Sequence, residues 1–189
     1  MKIINYKKLN NKKYKYCIYF LFVLYMKVKV PLKYVPERLN MKDKKKVKQE
    51  LKKSRAKYKK GIYYTRKKVK SYEVKPSKHV LNAQRIYNIN SIDVSDELSN
   101  KTKCSKNSLL DIVKKGQGAY FSAGSRPNQT GHSWGIARLA SAITGGKAAA
   151  VDYNILEKGC KSSSIALKLA KKSRKKHGFG KRKTRKTLL

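Results

Sequence analysis

Apolar positions recur at helical spacing over much of the chain, and residues 40–60 show the pattern first. Their few apolar side chains follow an i, i+4, i+11 spacing: Val47, Leu51 and Tyr58. This spacing places them on one narrow stripe of a helix, and Lys and Arg cover almost all of the remaining circumference. Asn40 is a candidate N-cap and Gly61 a candidate terminator, so the segment predicts a basic N-terminal helix.

Serine residues mark the starts of three further helices. Ser77 precedes a short predicted helix, and Ser95 and Ser105 resemble N-caps of two more, with Gly116 as the stop of the last one. The last two have the outline of a helix-turn-helix, although Lys103 stands where its turn prefers glycine. An αα-hairpin packed on the core explains the same pattern. In the helix-turn-helix interpretation four residues take the buried positions: Leu98, Cys104, Leu109 and Ile112.

Three segments rich in small residues follow towards the C-terminus: SWGIARLASAITGG, KAAAVDYNILEKG and SSSIALKLAKKSRKKHG. Each predicts a helix, and the first is capped by Thr130 or Ser133. Alanine and glycine allow helices to approach closely, so we expect the tightest part of the core here.

Two segments favour strands rather than helices. In residues 116–134, the run AYFS predicts a strand, followed by a turn at Pro127 and Asn128 and a helix near Ser133. Three tyrosines interleaved with basic residues predict half-buried strand positions or, alternatively, base-stacking positions: Tyr63, Tyr64 and Tyr72. Together these patterns predict a mainly helical α+β fold in a single small domain.

The net charge of the chain predicts what kind of partner it binds. The 189 residues contain 49 Lys and Arg against 10 Asp and Glu, a formal net charge of +39. Such a chain repels itself strongly, so we expect a polyanionic partner, DNA or RNA rather than a membrane surface. Lys outnumbers Arg, and Lys acts as a hydrated point charge that does not read bases. Binding should therefore be directed at phosphates and independent of sequence.

Two runs carry most of this charge. Residues 42–70 contain fifteen basic and two acidic residues, and residues 168–186 contain eleven basic residues and no acid. The second run predicts a disordered, basic C-terminal tail over residues 171–189. The predicted phosphate contacts are Lys44, Lys45, Lys48, Lys52, Arg55, Arg66, Lys67, Lys68, Lys172, Arg174, Lys175, Lys181 and Arg182.

Residues 1–25 precede the patterned part of the chain. A basic segment before the apolar run at 17–26 imitates a signal peptide, but a cleavage site is missing and ten residues are too few to span a bilayer. A buried strand is a second interpretation, and a native start at Met26 is a third. We expect one domain over residues 27–170, with its basic arm at 40–70, and no secretion.

The cysteines and histidines predict neither a metal site nor a disulfide framework. Cys17, Cys104 and Cys160 are far apart and form no CxxC pair, and the chain has three histidines. We expect three free thiols in a reducing compartment, with Cys104 and Cys160 as small apolar residues. No metal and no cofactor are predicted.

The weakly charged stretch at residues 116–134 is the candidate for small-molecule binding. A turn before a helix N-terminus presents free N–H groups to an anion, and Arg126 can add a bidentate clamp. The predicted anion-binding residues are Arg126, Gln129, Thr130, His132 and Ser133. An alternative interpretation makes Arg126, Gln129 and Trp134 a buried polar and aromatic anchor.

An enzyme or nucleotide-binding protein built on this stretch is an alternative function. His132, Ser133 and the distant Asp152 supply the groups of a catalytic triad, but sequence adjacency does not establish triad geometry. GQGAYFSAG and ITGGKAAA also miss the glycine patterns of known phosphate-binding loops. We therefore predict no catalytic residue.

The string GAYFSAGSRPNQTGHSWGIARLASAITGGKAAAVDYNIL resembles a domain of unknown function in proteins encoded by large DNA viruses and some phages. KVKVPLKYVPERL, KDKKKVKQELKKSRAKYKKGIYYTRKKV and SKHVLNAQRIYNI are also similar to that family, over residues 27–170 in all. GSRPNQT followed by HSW is the most specific part.

This resemblance implies a viral protein, carried in the virion or used in genome handling in a viral factory or the host nucleus. A structural scaffold component that binds other virion proteins is an alternative. The resemblance implies no reaction and no catalytic residues.

Overall fold

Helices occupy most of residues 28–179 and 185–189, the part of the chain that the computed structural model describes. This confirms the prediction of a mainly helical fold in one small domain. The eight α-helices of this part are α1 (Met41–Tyr58), α2 (Lys78–Tyr87), α3 (Asp96–Thr102), α4 (Lys106–Ser122), α5 (Gly131–Ile143), α6 (Lys147–Val151), α7 (Tyr153–Gly159) and α8 (Ile165–His177).

Side-chain caps start several of these helices where the sequence predicts them. Asn40 accepts a hydrogen bond from the Asp43 N–H at 2.7 Å, and Ser95 and Ser105 cap α3 and α4 in the same way. Thr130 caps α5 within a capping box. Caps are local interactions, which is why the sequence alone locates them.

The β structure is a two-stranded sheet that joins the two ends of the described chain. Strand β1 (Lys29–Pro31) pairs antiparallel with β2 (Lys186–Leu188), so Val30 lies opposite Thr187. Leu189 packs against the apolar cluster around β1, and this contact explains why the chain returns there. The prediction of a disordered tail over residues 171–189 is therefore wrong for residues 171–177, which are helical, and for residues 185–189, while residues 180–184 lie outside the described part.

Helix α4 continues through Gly116, where the sequence predicts that it stops. The predicted strand AYFS is also wrong, because these residues form the last turns of α4. Gly116 instead meets Gly135 of α5. A Cβ added at Gly116 would lie 2.6 Å from the Gly135 Cα, and one at Gly135 would lie 2.9 Å from the Val113 carbonyl oxygen. The glycine pair thus lets two helices cross at backbone contact.

This crossing predicts opposite effects for two glycines of one helix. Gly116→Ala should lower the free energy of unfolding by about 1–3 kcal/mol, because the backbone must shift to admit the methyl group. Gly118→Ala should raise it by up to about 1 kcal/mol, since its Cβ would meet nothing closer than the Tyr58 hydroxyl at 3.9 Å and alanine favours the helix. Urea unfolding measures both, and equal effects of the two substitutions would contradict the close crossing.

The core consists of two apolar clusters. The larger one lies among α2 to α8 and includes Ile112, Leu139 and Leu156, each fully buried. The four residues predicted as buried in the α3–α4 region are all buried. The smaller cluster joins the stripe of α1 to the segments on either side of it; its buried members are Val30, Tyr34, Val35, Leu39, Val47, Leu51, Val69 and Tyr72. No helix of the described part is long and apolar enough to cross a membrane.

Cys104 and Cys160 form a disulfide, so the prediction of free thiols at these positions is wrong. Their Cα atoms lie 3.9 Å apart although 56 positions separate them in the sequence. Two main-chain hydrogen bonds flank the pair, from the Ser105 N–H to the Gly159 carbonyl at 2.8 Å and from the Lys161 N–H to the Lys103 carbonyl at 2.9 Å. Packing of the α3–α4 turn against the end of α7 brings the two cysteines together. Cys17 lies outside the described residues.

The disulfide can be tested in a Cys17→Ala background. Protein purified without reductant and then unfolded should expose no free thiol before reduction and two after it. Replacing both remaining cysteines with alanine should lower the free energy of unfolding by about 2–4 kcal/mol, because the bond closes a long loop in the unfolded chain. Two thiols before reduction would contradict the assignment.

Candidate nucleic-acid interface and anion-binding cleft

Residues 62–76 form neither helix nor strand, although Val69 and Tyr72 of this segment belong to the smaller apolar cluster. Buried main-chain N–H groups must find partners, and in this segment side chains supply them. Four of its N–H groups are bonded in this way: those of Arg66, Lys67, Val69 and Ser71. The acceptors come from α1, from α4 and from the loop at residues 123–130, so the segment is held on several sides.

Both acidic residues of α1 face this segment. Glu50 accepts hydrogen bonds from the Lys67 N–H at 2.8 Å and the Tyr64 hydroxyl at 2.9 Å. Asp43 accepts from the N–H and the hydroxyl of Ser71 at 2.9 and 2.7 Å, and these bonds lower the pKa of its carboxyl group. Asp43 and Glu50 are 8% and 9% exposed, so neither presents its charge to the outer face of the helix.

Asn128 binds the same segment from the opposite side. Its amide oxygen accepts from the Val69 N–H at 2.8 Å, and its amide nitrogen donates to the Val69 and Tyr72 carbonyls at 2.9 and 2.6 Å. The residue adopts a positive φ of 58°, a conformation that asparagine tolerates better than most residues. The Asn128 side chain therefore makes the main-chain hydrogen bonds that a neighbouring strand would make in a sheet.

Arg66 lies at the centre of this arrangement. Its guanidinium donates to the Ser54 hydroxyl at 3.1 Å, the Tyr120 carbonyl at 2.9 Å and the Ser125 hydroxyl at 2.6 Å. It also stacks over the Tyr120 ring at 3.7 Å from the ring centre. Burial lowers its pKa, while nearby Tyr120 raises it. The structure therefore does not favour Arg66 as a phosphate contact, because its guanidinium donors bind the protein's own groups.

The exposed charged side chains of α1 are all basic. Lys45 and Lys52 are exposed, and Lys44, Lys48 and Arg55 are partly exposed. From the neighbouring segment, Lys67, Lys68 and Lys70 are also exposed. The ion pairs found among the described residues lie elsewhere: Asp96 with Lys106, Asp152 with Lys115 and Arg138, and Asp93 with His132.

The predicted tyrosine positions separate in the structure. Tyr72 is buried, and Tyr64 is partly buried and bound to Glu50, but neither lies in a strand. Tyr63 is 71% exposed, and its ring packs edge-on against Phe121 with centroids 5.1 Å apart. Tyr63 is therefore the member of this group whose surface is open to a base.

The C-terminal basic residues occupy a second helix face. Lys172 and Lys175 of α8 are exposed. Arg174 is partly buried, donates to Asn154 at 2.8 Å and stacks over the rings of Tyr153 and Phe179. Lys181 and Arg182 lie outside the described residues.

The five predicted anion-binding residues do not line one cavity. The Thr130 and Ser133 hydroxyls bind each other's main-chain N–H groups at 3.0 Å, and Ser133 also donates to Gln129. His132 is exposed and lies 3.8 Å from Asp93. Arg126 and Gln129 alone line a cavity. The triad suggested by His132, Ser133 and Asp152 does not form, because Asp152 binds Arg138 and Lys115 inside the protein.

A cleft of about 680 Å³ is lined by Arg126 and by residues of α5 and α6, among others. A neighbouring cavity of about 570 Å³ shares four lining residues with it: Lys33, Ser77, His79 and Arg126. No Asp or Glu lines either cavity within the part of the chain that the structure describes. The basic residues that line one or both are Lys33, Arg38, Lys75, Lys78, Arg126, Arg138 and Lys147.

A buried carboxylate fixes one of these cations. Asp152, between α6 and α7, is 1% exposed and accepts two hydrogen bonds from Arg138, at 2.7 and 2.8 Å. Lys115 lies 2.9 Å from the same carboxylate. Arg138, Lys115 and Asp152 together have a net charge of one positive unit. Arg138 is the member of this group that lines the cleft. The segment KAAAVDYNILEKG, predicted as one helix, forms the two helices α6 and α7, and Asp152 is the residue between them.

The alternative interpretation made Arg126, Gln129 and Trp134 a buried anchor. This stretch does anchor the fold, but mainly through other residues. Arg126 is exposed, and its guanidinium makes no hydrogen bond or ion pair with any described residue. Trp134 is partly buried and packs edge-on against Tyr34 at 6.1 Å. The anchoring hydrogen bonds come instead from Ser125 and Asn128, which lie on either side of Arg126 and Pro127. Within residues 28–179 and 185–189, no cluster of three or more His, Cys, Asp or Glu side chains could hold a metal ion.

Comparison with known proteins identifies the family at the level of sequence. A family model described as "Family of unknown function (DUF5824)" matches residues 31–158, so the chain belongs to this family. The match covers most of the predicted domain at residues 27–170. No curated protein and no solved structure matches the chain.

The different roles of two neighbouring loop residues can be separated by mutation. Asn128→Ala should lower the free energy of unfolding by about 2–4 kcal/mol, because the Val69 and Tyr72 main-chain groups lose their partners. Arg126→Ala should change it by less than about 0.5 kcal/mol, since its guanidinium binds no described residue. Chemical unfolding monitored by circular dichroism measures both. A similar loss in the two variants would contradict this division.

Proposed function

We propose that this protein binds nucleic acid through phosphate contacts, without sequence preference, using the basic face of α1 and residues 67–70. One observation carries the proposal: both carboxylates of α1 bind the protein's own backbone and hydroxyl groups, so the lysines outside have no acidic neighbour on their own helix. Such a surface attracts the phosphate backbone and releases its condensed counterions on binding. Lysine ammonium groups supply charge without the planar geometry that reads guanine.

Two further features support the same function. The exposed lysines of α8 add a second basic face, which would lengthen the path of a bound strand. The exposed ring of Tyr63 lies just beyond α1, where it could stack on an unpaired base. The exposed acids of the helices lie outside α1: Asp96 and Glu97 in α3, Asp111 in α4 and Glu157 in α7.

Salt dependence tests the electrostatic mechanism. If on the order of six phosphates are contacted, the logarithm of the association constant should fall against the logarithm of salt concentration with a slope of about −5. Fluorescence anisotropy with labelled duplexes of unrelated sequence, between 50 and 200 mM salt, gives this slope. A slope near zero, or strong preference for one sequence, would overturn the proposal.

A charge-matched pair of variants locates the surface. Lys45→Gln/Lys52→Gln/Lys68→Gln should weaken binding and make the slope less steep by up to about 2.7, or about 0.9 for each lost contact. Lys101→Gln/Lys114→Gln/Lys158→Gln removes the same charge from exposed positions of α3, α4 and α7 and should change the slope much less. Equal effects would show that overall charge, rather than this face, determines binding.

We also propose that this binding serves a viral genome, in a virion or a viral factory. This part rests on the sequence resemblance alone. Proteomic analysis of purified particles tests it, since absence of the protein from particles would exclude a virion role and leave nucleic-acid binding unaffected.

A further inference from the structure

The cleft beside Arg126 is separate from the basic face of α1 and has its own chemistry. Its size falls within the range of small-molecule sites. Arg126 and Lys147 reach it from two different segments and bind no other described residue through hydrogen bonds or ion pairs. Since no carboxylate lines it in the described part of the chain, these cations have no acidic partner inside the cleft.

Arg138 differs from these two cations because its guanidinium is held by a carboxylate outside the cleft. Two hydrogen bonds to the buried Asp152 hold its guanidinium plane in one orientation. An arginine oriented in this way loses little side-chain freedom when it binds an anion. Asp152 is thus a positioning residue for the cleft wall, and Lys115 offsets the negative charge it would otherwise bring.

The aromatic wall of the cleft restricts what kind of anion fits. Trp134 and Tyr34 both line it, and their rings pack edge-on at 76°. An inorganic anion would use the cations but not the indole ring. A ligand that joins phosphate groups to a planar ring would use both parts.

We infer that this cleft binds a nucleotide, with its phosphates at Arg126, Arg138 and Lys147 and its base against Trp134. The same chemistry is available from a free nucleoside triphosphate and from the 5′-phosphorylated end of a nucleic-acid strand. This inference does not depend on the α1 surface, because none of the residues that line the cleft belongs to α1.

The chain offers a direct reporter of binding, because Trp134 is its only tryptophan. Tryptophan emission excited at the red edge of its absorption, together with calorimetry, should follow titration of the full-length protein with ATP, pyrophosphate and adenosine. ATP should change the emission and bind roughly tenfold more tightly than pyrophosphate, since base stacking adds to the phosphate contacts. Adenosine should bind more weakly than either.

Variants distinguish the cleft from general attraction to a basic protein. Arg126→Gln and Lys147→Gln should each weaken ATP binding roughly tenfold, as expected when one charge-assisted hydrogen bond is lost. Lys45→Gln/Lys52→Gln/Lys68→Gln and Lys101→Gln should leave it within about twofold, and thermal unfolding verifies that every variant folds. Loss of ATP binding in the α1 variant but not in Arg126→Gln would overturn the inference.

A comparison of two oligonucleotides distinguishes a free nucleotide from a strand end as the ligand. An oligonucleotide with a 5′-phosphate should bind more tightly than the same strand without it, and this difference should disappear in Arg126→Gln if strand ends are the ligand. If the difference is absent while ATP binding depends on Arg126, the ligand is a free nucleotide. Equal affinity for ATP and pyrophosphate, or no binding of ATP at millimolar concentration, would overturn the nucleotide site.

Discussion

Side-chain hydrogen bonds to the backbone of residues 66–72 are the interaction on which the rest of this structure depends. An extended segment normally satisfies its N–H groups in a sheet, and no strand lies beside this one in the described part of the chain. Tyr120, Asn128 and the two acids of α1 take that place. Because these groups come from separate elements, the same bonds join α1 and its apolar cluster to the helix bundle.

This arrangement also determines how charge is distributed. The chain has ten acidic residues, and three of them, Asp43, Glu50 and Asp152, are buried and bonded to other parts of the protein. Low acid content alone would give a basic surface on average. Inward orientation of the few available acids goes further, because it leaves the outer face of α1 with cations and uncharged residues alone. The cost is repulsion among neighbouring lysines, which a bound polyanion would relieve.

Sequence reasoning succeeded where an interaction spans one helical turn and failed where it spans the fold. The caps Asn40, Ser95 and Ser105 were predictable because a cap contacts a residue three positions away. The prediction that Gly116 ends a helix was wrong. A glycine at a helix end and a glycine inside a helix at a close contact with a second helix cannot be distinguished from the sequence alone. The Cys104–Cys160 disulfide joins residues more than 50 positions apart, and so do the contacts of Arg66 with Tyr120 and Ser125. No local sequence pattern signals contacts of this kind. The asparagine in GSRPNQT was a usable signal for a positive φ, although not for its three hydrogen bonds.

The loop at residues 123–130 combines the two roles that the sequence presented as alternatives. Ser125 accepts a hydrogen bond from Arg66 and donates one to the Arg126 carbonyl at 2.7 Å, and Asn128 holds the other end of the turn. The Arg126 backbone is therefore fixed from both sides while its side chain binds no described residue. Because the backbone is already held, an anion that binds in the cleft has to order only the Arg126 side chain and not the loop. Anchoring and anion binding thus support each other, because the anchor places the arginine that the proposed ligand would use.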